Sequence, residues 1–419
     1  MNIINMKAPV WLSASAAAAL LGVTRQTLYA YVSRAKIRIR PDFDDPRRSL
    51  YHSADLTRIA RRTRGRPGAR LIAAGATSWG SPVLDSSIST VSQGRLCYRG
   101  QDAVVLSESA TLEFTAQLLW QSAPLQRNRQ VMRTTQRFSD ATDALYSTLA
   151  SRAARDPQML GREVAARHSD GARLFFALSD AIVRTITSSS SSSRTTRRVS
   201  KSRAPVPVHE RLAVAWRKPD ASDLIRRALV LLADHELNAS TFAARVAAST
   251  GAPLAAAVLA GAATLGGPLH GKASVETRLL LSDARRRGAR AVILERLAAD
   301  APLPAFGHPL YPNGDVRAQS LLAAVRPLPL FDEVQRIVEE LSGEHPNVDY
   351  ALTAMAARLR LPDDAPFVLF AVARTVGWIA HALEQTLSGN LIRPRARYVG
   401  PALVPAVEAD ADCESRRFR

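Results

Sequence analysis

The segment "GGPLHGKASVE", Gly266–Glu276, gives the first indication of both fold and chemistry. It sets one histidine, His270, among three glycines and a proline, directly after residues 246–265, which contain no Asp, Glu, Lys or Arg. Glycine permits tight turns and lets a ligand approach the backbone closely. Histidine can hold a neutral tautomer that donates a hydrogen bond. Two interpretations follow: a histidine packed at a helix end, or a site where chemistry needs an imidazole.

Ionisable residues stand in similar surroundings in three other segments. "ADHELNAS" places His235 at a helix junction, "FGHPLYPNGDVRAQSL" contains His308, and "HPNVDYALTAM" contains Asp349. Taken alone, His235 is as well explained by a structural role, and Asp349 is an N-cap candidate. Carbon–carbon bond formation beside a thioester needs a base, a donor for the enolate oxygen and an acid, which Asp, His and His can supply. Arginines can pair with the carboxylates of such a substrate.

Composition predicts a globular, mainly helical protein of two or three domains. The 419 residues are 47% hydrophobic, 22% charged and only 6% aromatic, and alanine and leucine dominate. The two cysteines, Cys97 and Cys413, have no metal-ligand spacing, which suits a reducing, cytoplasmic setting. The N-terminus has no long apolar run, so no signal peptide is expected. Residues 246–271 are long enough to cross a membrane, but Gly251-Ala-Pro253 interrupts them, and buried helices are predicted instead.

Positive charge is concentrated in two short segments. Residues 1–70 hold 14 Lys and Arg against 4 Asp and Glu, and residues 184–203 hold 6 Lys and Arg and no acid. This asymmetry predicts an appended module that binds a polyanion. The Ser/Arg-rich residues 187–203 are expected to form a flexible loop, either merely polar or in auxiliary contact with nucleic acid.

The first 62 residues are predicted to be a small DNA-binding module. "WLSASAAAALLGVTRQTLYAYVSRAKI" reads as two short helices with Ser13 and Thr24 as N-caps, followed by a strand, a turn with two arginines, a strand at Ser49–Tyr51 and a further helix. The segment resembles the MerR/excisionase type of winged helix-turn-helix. That resemblance implies DNA contacts by Arg25, Gln26, Thr27, Tyr29, Arg47 and Arg48. The alternative is a helical hairpin for protein contacts with solvated arginines. Residues 63–74 are a predicted linker.

Seven segments beyond the linker occur in the order typical of the citrate synthase family. The resemblance covers about residues 75–402 and rests on "GRLCYRG", "DHELNASTFAAR", "GPLHG", "FGHPLYPNGDVRA", "PNVDYAL", "ARTVGWIAH" and "LIRPRARYVGP". It implies a mainly α homodimer. Each subunit would have a large domain, residues 75–271 and 369–419, and a small domain, residues 272–368.

The resemblance also implies the roles of individual residues. His270 would stabilise the enol of the acetyl thioester, Asp349 would remove the methyl proton, and His308 would polarise the oxaloacetate carbonyl. Oxaloacetate would be bound by His235, Arg317, Arg374 and Arg393, the last reaching the partner subunit's site. Coenzyme A, a cosubstrate, would contact Gly271, Lys272 and Gly307. The resemblance implies no metal and no tightly bound cofactor.

Several positions depart from the family pattern and leave the substrate open. Pro309 and Pro312 stand where many relatives carry basic residues, Val316 replaces a frequent proline, and Lys272 replaces a small residue. None removes a catalytic side chain that the resemblance implies. The alternatives are 2-methylcitrate synthase, a citryl-CoA-cleaving relative, or a DNA-binding regulator that uses the enzyme fold to sense a metabolite.

Overall fold

The fold is derived from a computed structural model of the chain. The structure describes residues 11–21, 28–29, 32, 37–42, 45, 48–53, 55–56, 84–127, 137–189, 206–267, 270–271, 273–396 and 398–401. Most of these residues are helical, which confirms the predicted mainly α fold class.

The N-terminal residues form a small sheet beside one helix. Strand β1 (Trp11–Leu12) and strand β2 (Ile39–Pro41) both pair antiparallel with β3 (Ser49–His52), and helix α1 (Ala14–Leu21) follows β1. The Ser13 hydroxyl accepts a hydrogen bond from the backbone N–H of Ala16 at 3.3 Å, which confirms the predicted N-cap. A small core holds the sheet and helix together and is built by Ala17, Ala18, Leu28, Ile37, Tyr51 and Leu56.

The predicted DNA-contacting residues are only partly within the described residues. Arg25, Gln26, Thr27 and Arg47 lie outside them. Tyr29 is exposed, and Arg48 forms an ion pair with Asp45 at 3.1 Å. The winged helix-turn-helix therefore stays a prediction.

The rest of the described chain consists of a second antiparallel sheet and fourteen α-helices. The sheet has the order β4 (Ser89–Ser92), β5 (Arg95–Tyr98), β6 (Gln101–Asp102). The helices are α2 (Ala103–Ser109), α3 (Leu112–Trp120), α4 (Ala141–Ala153), α5 (Val164–Ser189), α6 (Val208–Ala215), α7 (Ser222–Leu232), α8 (Ala239–Ser249), α9 (Leu254–Leu265), α10 (Ala273–Arg287), α11 (Ala289–Ala298), α12 (Val316–Val325), α13 (Pro329–Ser342), α14 (Val348–Leu359) and α15 (Ala365–Ser388).

Two clusters of buried apolar side chains stabilise this part of the molecule. The larger includes side chains from α3 to α9, α12, α14 and α15. The smaller is built mainly by α10, α11 and α13, together with Phe306 and Tyr350. The predicted division into large and small domains stays a prediction, and its second junction, at residues 368 and 369, falls inside α15.

Helix α15 passes through the larger cluster and carries part of the site described below. It is the one helix among the described residues that is long and apolar enough to cross a membrane, but 94% of its most apolar window is buried inside the protein. Residues 246–271, the stretch considered for a membrane span, instead contain the end of α8 and the shorter helix α9.

Helix α5 extends into the segment that was predicted to be a flexible loop. Residues 187–189 belong to α5, so the prediction of a loop from residue 187 is wrong for these three positions. Their hydroxyls donate to carbonyls one turn earlier, as Thr187 does to Val183 at 2.8 Å, and these bonds fit a continued helix. Residues 190–205 lie outside the described residues.

Candidate active site

Six of the predicted site residues are buried where separate elements of the fold meet. They come from the α7–α8 turn, the α9–α10 connection, the loop before α12, the first turns of α12 and α14, and the middle of α15. Their exposed fractions are 6% or less: His235 3%, His270 5%, His308 6%, Arg317 0%, Asp349 3% and Arg374 0%. Ionisable side chains are rarely buried without a partner or a ligand, so these residues define the candidate site.

Two histidines and a tyrosine form one side of the site. The rings of His235 and His308 meet edge to face, with centroids 5.1 Å apart, and Tyr311 packs against both. The Tyr311 hydroxyl and His235 Nε2 are hydrogen bonded at 3.0 Å. Burial and then the charge of Arg317 lower the pKa of His235 well below 6.5, so its ring is neutral at pH 7. Tyr311 was not among the predicted site residues, although its place six residues before Arg317 in a Gly- and Pro-rich loop was a usable signal.

The backbone fixes the tautomer of neutral His308. The N–H of Leu310 donates to His308 Nδ1 at 3.1 Å. A nitrogen that accepts this bond cannot carry the proton, so the proton of the neutral ring lies on Nε2. His308 can therefore offer an N–H donor.

His270 is buried and neutral. Burial, followed by the charge of Arg374, lowers its pKa to about 3. Neither ring nitrogen has a hydrogen-bond partner among the described residues. The adjoining turn is tight, because the N–H of Gly271 donates to Leu265 O at 2.9 Å and a Cβ at position 271 would lie 2.4 Å from that oxygen. Packing alone thus explains Gly271, and its contact with coenzyme A stays a prediction.

Asp349 lies in the first turn of α14 but does not cap it. The cap is Asn347, whose side-chain oxygen accepts from the backbone N–H of Asp349 at 3.0 Å. The alternative that Asp349 is the N-cap is therefore wrong. The Asp349 carboxylate is instead a buried group in the first turn of a helix, where the dipole favours negative charge.

Arg317 is held by a carboxylate from its own helix cap. Its Nε and Nη2 donate to the two oxygens of Asp315 at 2.9 and 2.7 Å. Asp315 also caps α12 and accepts from the N–H of Val348 at 3.1 Å. Burial would raise the pKa of Asp315, but Arg317 outweighs it and the pKa falls to about 2. Arg317 Nη1 has no partner among the described residues.

Arg374 is also fully buried, but its outer nitrogens are not paired. Its Nε donates to Leu232 O at 2.9 Å, whereas Nη1 and Nη2 have no partner in the described part of the chain. Burial lowers its pKa to about 10, with the charge of Asp234 opposing, so the guanidinium stays charged at neutral pH. Together, Arg317 and Arg374 offer three unsatisfied nitrogens to an anion.

Other predicted residues do not join this buried group. Arg393 is exposed beyond α15, and Lys272 lies outside the described residues. Gly307 is in the loop before His308, and its N–H donates to His345 O at 2.8 Å. Within the described ranges, no set of three or more His, Cys, Asp and Glu side chains is arranged to hold a metal ion.

The fold is that of solved citrate synthases. The citrate synthase of the thermophilic archaeon Thermoplasma acidophilum, solved as a ternary complex with carboxymethyl coenzyme A and oxaloacetate, matches with a TM-score of 0.63. The match covers 78% of this chain and 96% of the archaeal one at 22% identity, which shows a shared fold.

The sequence places the chain in a family. Residues 76–395 match the family described as citrate synthase, C-terminal domain, and the chain belongs to that family. Citrate synthase 2 of Bacillus subtilis is 36% identical over 194 residues, 44% of this chain and 52% of that protein. 2-Methylcitrate synthase 1 of Corynebacterium glutamicum is 34% identical over 187 residues, 42% of this chain and 49% of that protein. The chain thus spans about half the length of the curated relatives it matches.

Proposed function

We propose that this protein is a citrate synthase-type acyltransferase that condenses acetyl-CoA with oxaloacetate to give citrate and coenzyme A. The observation that carries the proposal is the pair of buried arginines, Arg317 and Arg374, with three guanidinium nitrogens that have no partner among the described residues. A buried cation that lacks its hydrogen bonds is costly, and carboxylates are its natural partners. A substrate with two carboxylates and a ketone between them would pair with both arginines and present the ketone to the histidines.

The proposed reaction begins with proton removal from the thioester. The Asp349 carboxylate takes a proton from the methyl group of acetyl-CoA, and the charge that develops on the thioester oxygen receives a hydrogen bond from His270. Because the pKa of His270 is about 3, its ring is neutral at pH 7. A neutral imidazole suits this role, since its N–H can donate a hydrogen bond to the oxygen while the ring carries no positive charge.

The second half of the reaction forms the carbon–carbon bond. The Nε2–H of His308 polarises the ketone of oxaloacetate, the enolate carbon attacks it, and the proton passes from Nε2 to the new alkoxide. The His308 ring then takes a proton back from solvent, and Asp349 releases the one that it removed, so both groups are restored for the next turnover. The product is citryl-CoA. Water then cleaves its thioester, releasing citrate and free coenzyme A thiol. Coenzyme A is a cosubstrate in this scheme, not a resident cofactor.

A homodimer completes the proposed site. The charges of the two guanidinium groups, Arg317 and Arg374, are already offset by two buried carboxylates, Asp315 and Asp234, before a dianionic substrate arrives. A further cation would therefore favour binding. Arg393 is exposed on a single chain, so it is available to supply that charge to the partner subunit's site.

Release of free thiol tests the proposal directly. Purified protein with oxaloacetate and acetyl-CoA should release thiol, and His270→Ala should lower kcat by about 100-fold or more. Absence of thiol release with every short acyl-CoA and 2-oxo acid tried would contradict it.

Two variant activities remain candidates. A relative named 2-methylcitrate synthase favours a comparison of propionyl-CoA with acetyl-CoA, and a higher kcat/KM for propionyl-CoA would assign that activity. Citryl-CoA cleavage is tested in the opposite direction, by following formation of acetyl-CoA and oxaloacetate from citryl-CoA.

The N-terminal residues carry a second proposed function, binding of DNA. The observation that favours it is a three-stranded antiparallel sheet in a segment with a large excess of Lys and Arg, whose β2–β3 connection includes Arg47 and Arg48 in the sequence. Affinity for genomic fragments should fall steeply with salt, because phosphate contacts release counterions. A change in affinity with citrate or coenzyme A would indicate metabolite sensing. Fragments whose mobility is unchanged by full-length protein at low salt would contradict DNA binding.

A further inference from the structure

Asp234, the residue before His235, is a fully buried carboxylate that the proposed mechanism does not use. Its Oδ2 accepts hydrogen bonds from the Ser89 hydroxyl and from His381 Nε2, the latter at 3.2 Å. These donors come from strand β4 and helix α15, which lie 145 and 147 residues away along the chain. A buried carboxylate fixed by two distant elements is a strong constraint on the turn that carries it.

The β4–β5 hairpin holds the same turn from one side. The Tyr98 hydroxyl donates to Val230 O at 2.9 Å and lies 3.3 Å from Asp234 O. Ser89 both donates to Asp234 and accepts from the backbone N–H of Glu236 at 3.0 Å. The hairpin thus fixes the backbone on both sides of His235.

Helix α15 holds the turn from the other side. Arg374, Gly377 and His381 are spaced three and four residues apart, so they share one face of the helix. A Cβ at Gly377 would lie 2.3 Å from Asp234 Oδ1, so glycine is needed for the turn to approach. The same face therefore presents the substrate-binding Arg374 and the His381 that anchors Asp234.

Charge links Asp234 to Arg374 as well. Burial opposes ionisation of Asp234, but His381, Arg374 and Ser89 together lower its pKa, so the carboxylate is charged. Arg374 is buried with no carboxylate bonded to it in the described residues. Asp234 acts as its buried counter-charge and leaves the outer nitrogens open for a ligand.

We propose that Asp234, anchored by Ser89 and His381, is a positioning residue for the 2-oxo dicarboxylate. It fixes the turn that presents His235 and balances Arg374 without occupying the nitrogens that bind the substrate. This inference rests on the proposed function, because the ligand is the oxo acid of that reaction. Side chains that hold a binding residue in one rotamer are expected to affect binding of that ligand selectively.

The test compares Ser89→Ala, which removes one donor to Asp234, with Ser89→Thr, which retains the hydroxyl. Ser107→Ala is the matched control, because Ser107 is a buried serine whose hydroxyl donates to Val104 O, at 2.7 Å, within its own helix. Oxaloacetate binding is measured by calorimetry without any thioester. The KM values for oxaloacetate and for acyl-CoA are then measured separately by thiol release.

We expect Ser89→Ala to weaken oxaloacetate binding by about 10-fold and to leave KM for acyl-CoA unchanged. Ser89→Thr and Ser107→Ala should stay within about twofold of wild type. His381→Leu should weaken oxaloacetate binding in the same way, and His381→Gln, which keeps an N–H donor, should recover part of it.

Equal oxaloacetate affinity in Ser89→Ala and Ser89→Thr would overturn the inference. So would a fall in kcat for Ser89→Ala with both KM values unchanged, because that pattern reports only loss of folded protein. Those outcomes leave the proposed function standing if wild-type protein binds oxaloacetate and releases thiol. Wild-type protein that binds no oxaloacetate would remove the proposed function and this inference together.

Discussion

Arg317 and Arg374 are equally buried, but the chain neutralises their charges in different ways. Arg317 is bonded through two nitrogens to Asp315, which also caps α12 and bonds the start of α14. Arg374 donates to one backbone carbonyl, and its counter-charge, Asp234, is hydrogen bonded to other side chains, including His381. The difference indicates that Arg317 is as much part of the scaffold as of the site, whereas Arg374 is kept open for a ligand.

Removal of Arg317 and removal of Arg374 should therefore have different consequences for the protein. Loss of Arg317 leaves a fully buried carboxylate, Asp315, without its ion-pair partner. Loss of Arg374 leaves only a carbonyl and a carboxylate that still has two other donors. The first change should damage the fold, and the second should damage substrate binding.

The largest effect is expected for Arg317→Leu. Breaking a buried ion pair by removing one partner costs about 3–5 kcal/mol, because the remaining charge is uncompensated. The free energy of unfolding, measured by denaturant titration, should fall by that amount. The double variant Arg317→Leu/Asp315→Leu should recover part of the loss. A single variant as stable as wild type would remove the scaffold role assigned to Arg317.

Arg374→Leu should leave stability closer to wild type but abolish tight oxaloacetate binding. Truncating one side of a buried charge pair costs about 3 kcal/mol, or roughly 100-fold in Kd. Arg374→Lys should recover little, because an ammonium cannot reproduce the planar fork. Calorimetric titration with oxaloacetate measures the change, and thermal denaturation serves as the control. If Arg374→Leu unfolded as readily as Arg317→Leu, the contrast between the two would fail.

The free energy of unfolding should depend on pH in different ranges through His270, beside Arg374, and through Asp315, beside Arg317. The pKa of His270, beside Arg374, is about 3 in the folded protein and about 6.5 unfolded. The unfolded chain therefore takes up the proton first, and stability falls as the pH drops below 6.5. The pKa of Asp315, beside Arg317, is lowered from 3.8 to about 2. The ionised carboxylate therefore stabilises the fold above pH 3.8, and this contribution is lost as the pH falls from 3.8 through 2.

As the pH is lowered from 7 to 5, His270 should reduce the free energy of unfolding by about 2 kcal/mol. His270→Gln, which does not titrate, should reduce the pH dependence of the unfolding free energy by that amount. His235, whose pKa is also lowered, should account for part of the remaining slope. An unchanged slope in His270→Gln would show that the imidazole is solvated and not buried as described.

The six predicted site residues that the structure finds buried were all named from their motifs, and their roles stay predictions. The sequence did not predict how these side chains are held. The pairing of Arg317 with Asp315 was not predicted, because residues two apart do not face each other inside a helix. It forms because Asp315 lies at the cap, where the backbone is extended. The bonds of Asp234 to Ser89 and His381 join distant segments, and no local pattern signals them.

Helix boundaries account for the other errors. Asp349 was considered as the cap of α14, but the cap is Asn347, two residues earlier. Sequence patterns locate the first turn of a helix only to within about two residues. The serines at residues 188 and 189 suggested a loop by composition, but they continue α5 by bonding to its own carbonyls. In both cases the surrounding backbone, and not the local sequence preference, determined where the helix begins or ends.

Tyr311→Phe should have the smallest effect of these substitutions. Tyr311 is grouped with Arg317 because its ring lies under that guanidinium. The hydroxyl bonds His235 at 3.0 Å, while the ring packs against His308 and lies under the Arg317 guanidinium at 5.3 Å. Removal of the hydroxyl alone keeps the packing and should cost about 1 kcal/mol, seen as a roughly fivefold rise in KM for oxaloacetate. Tyr146→Phe is the matched control, because that hydroxyl also makes one bond, to Ala262 O at 3.2 Å, outside the site. It should lower the unfolding free energy by a similar amount without changing KM. If both variants changed KM equally, the orientation of His235 would not depend on Tyr311.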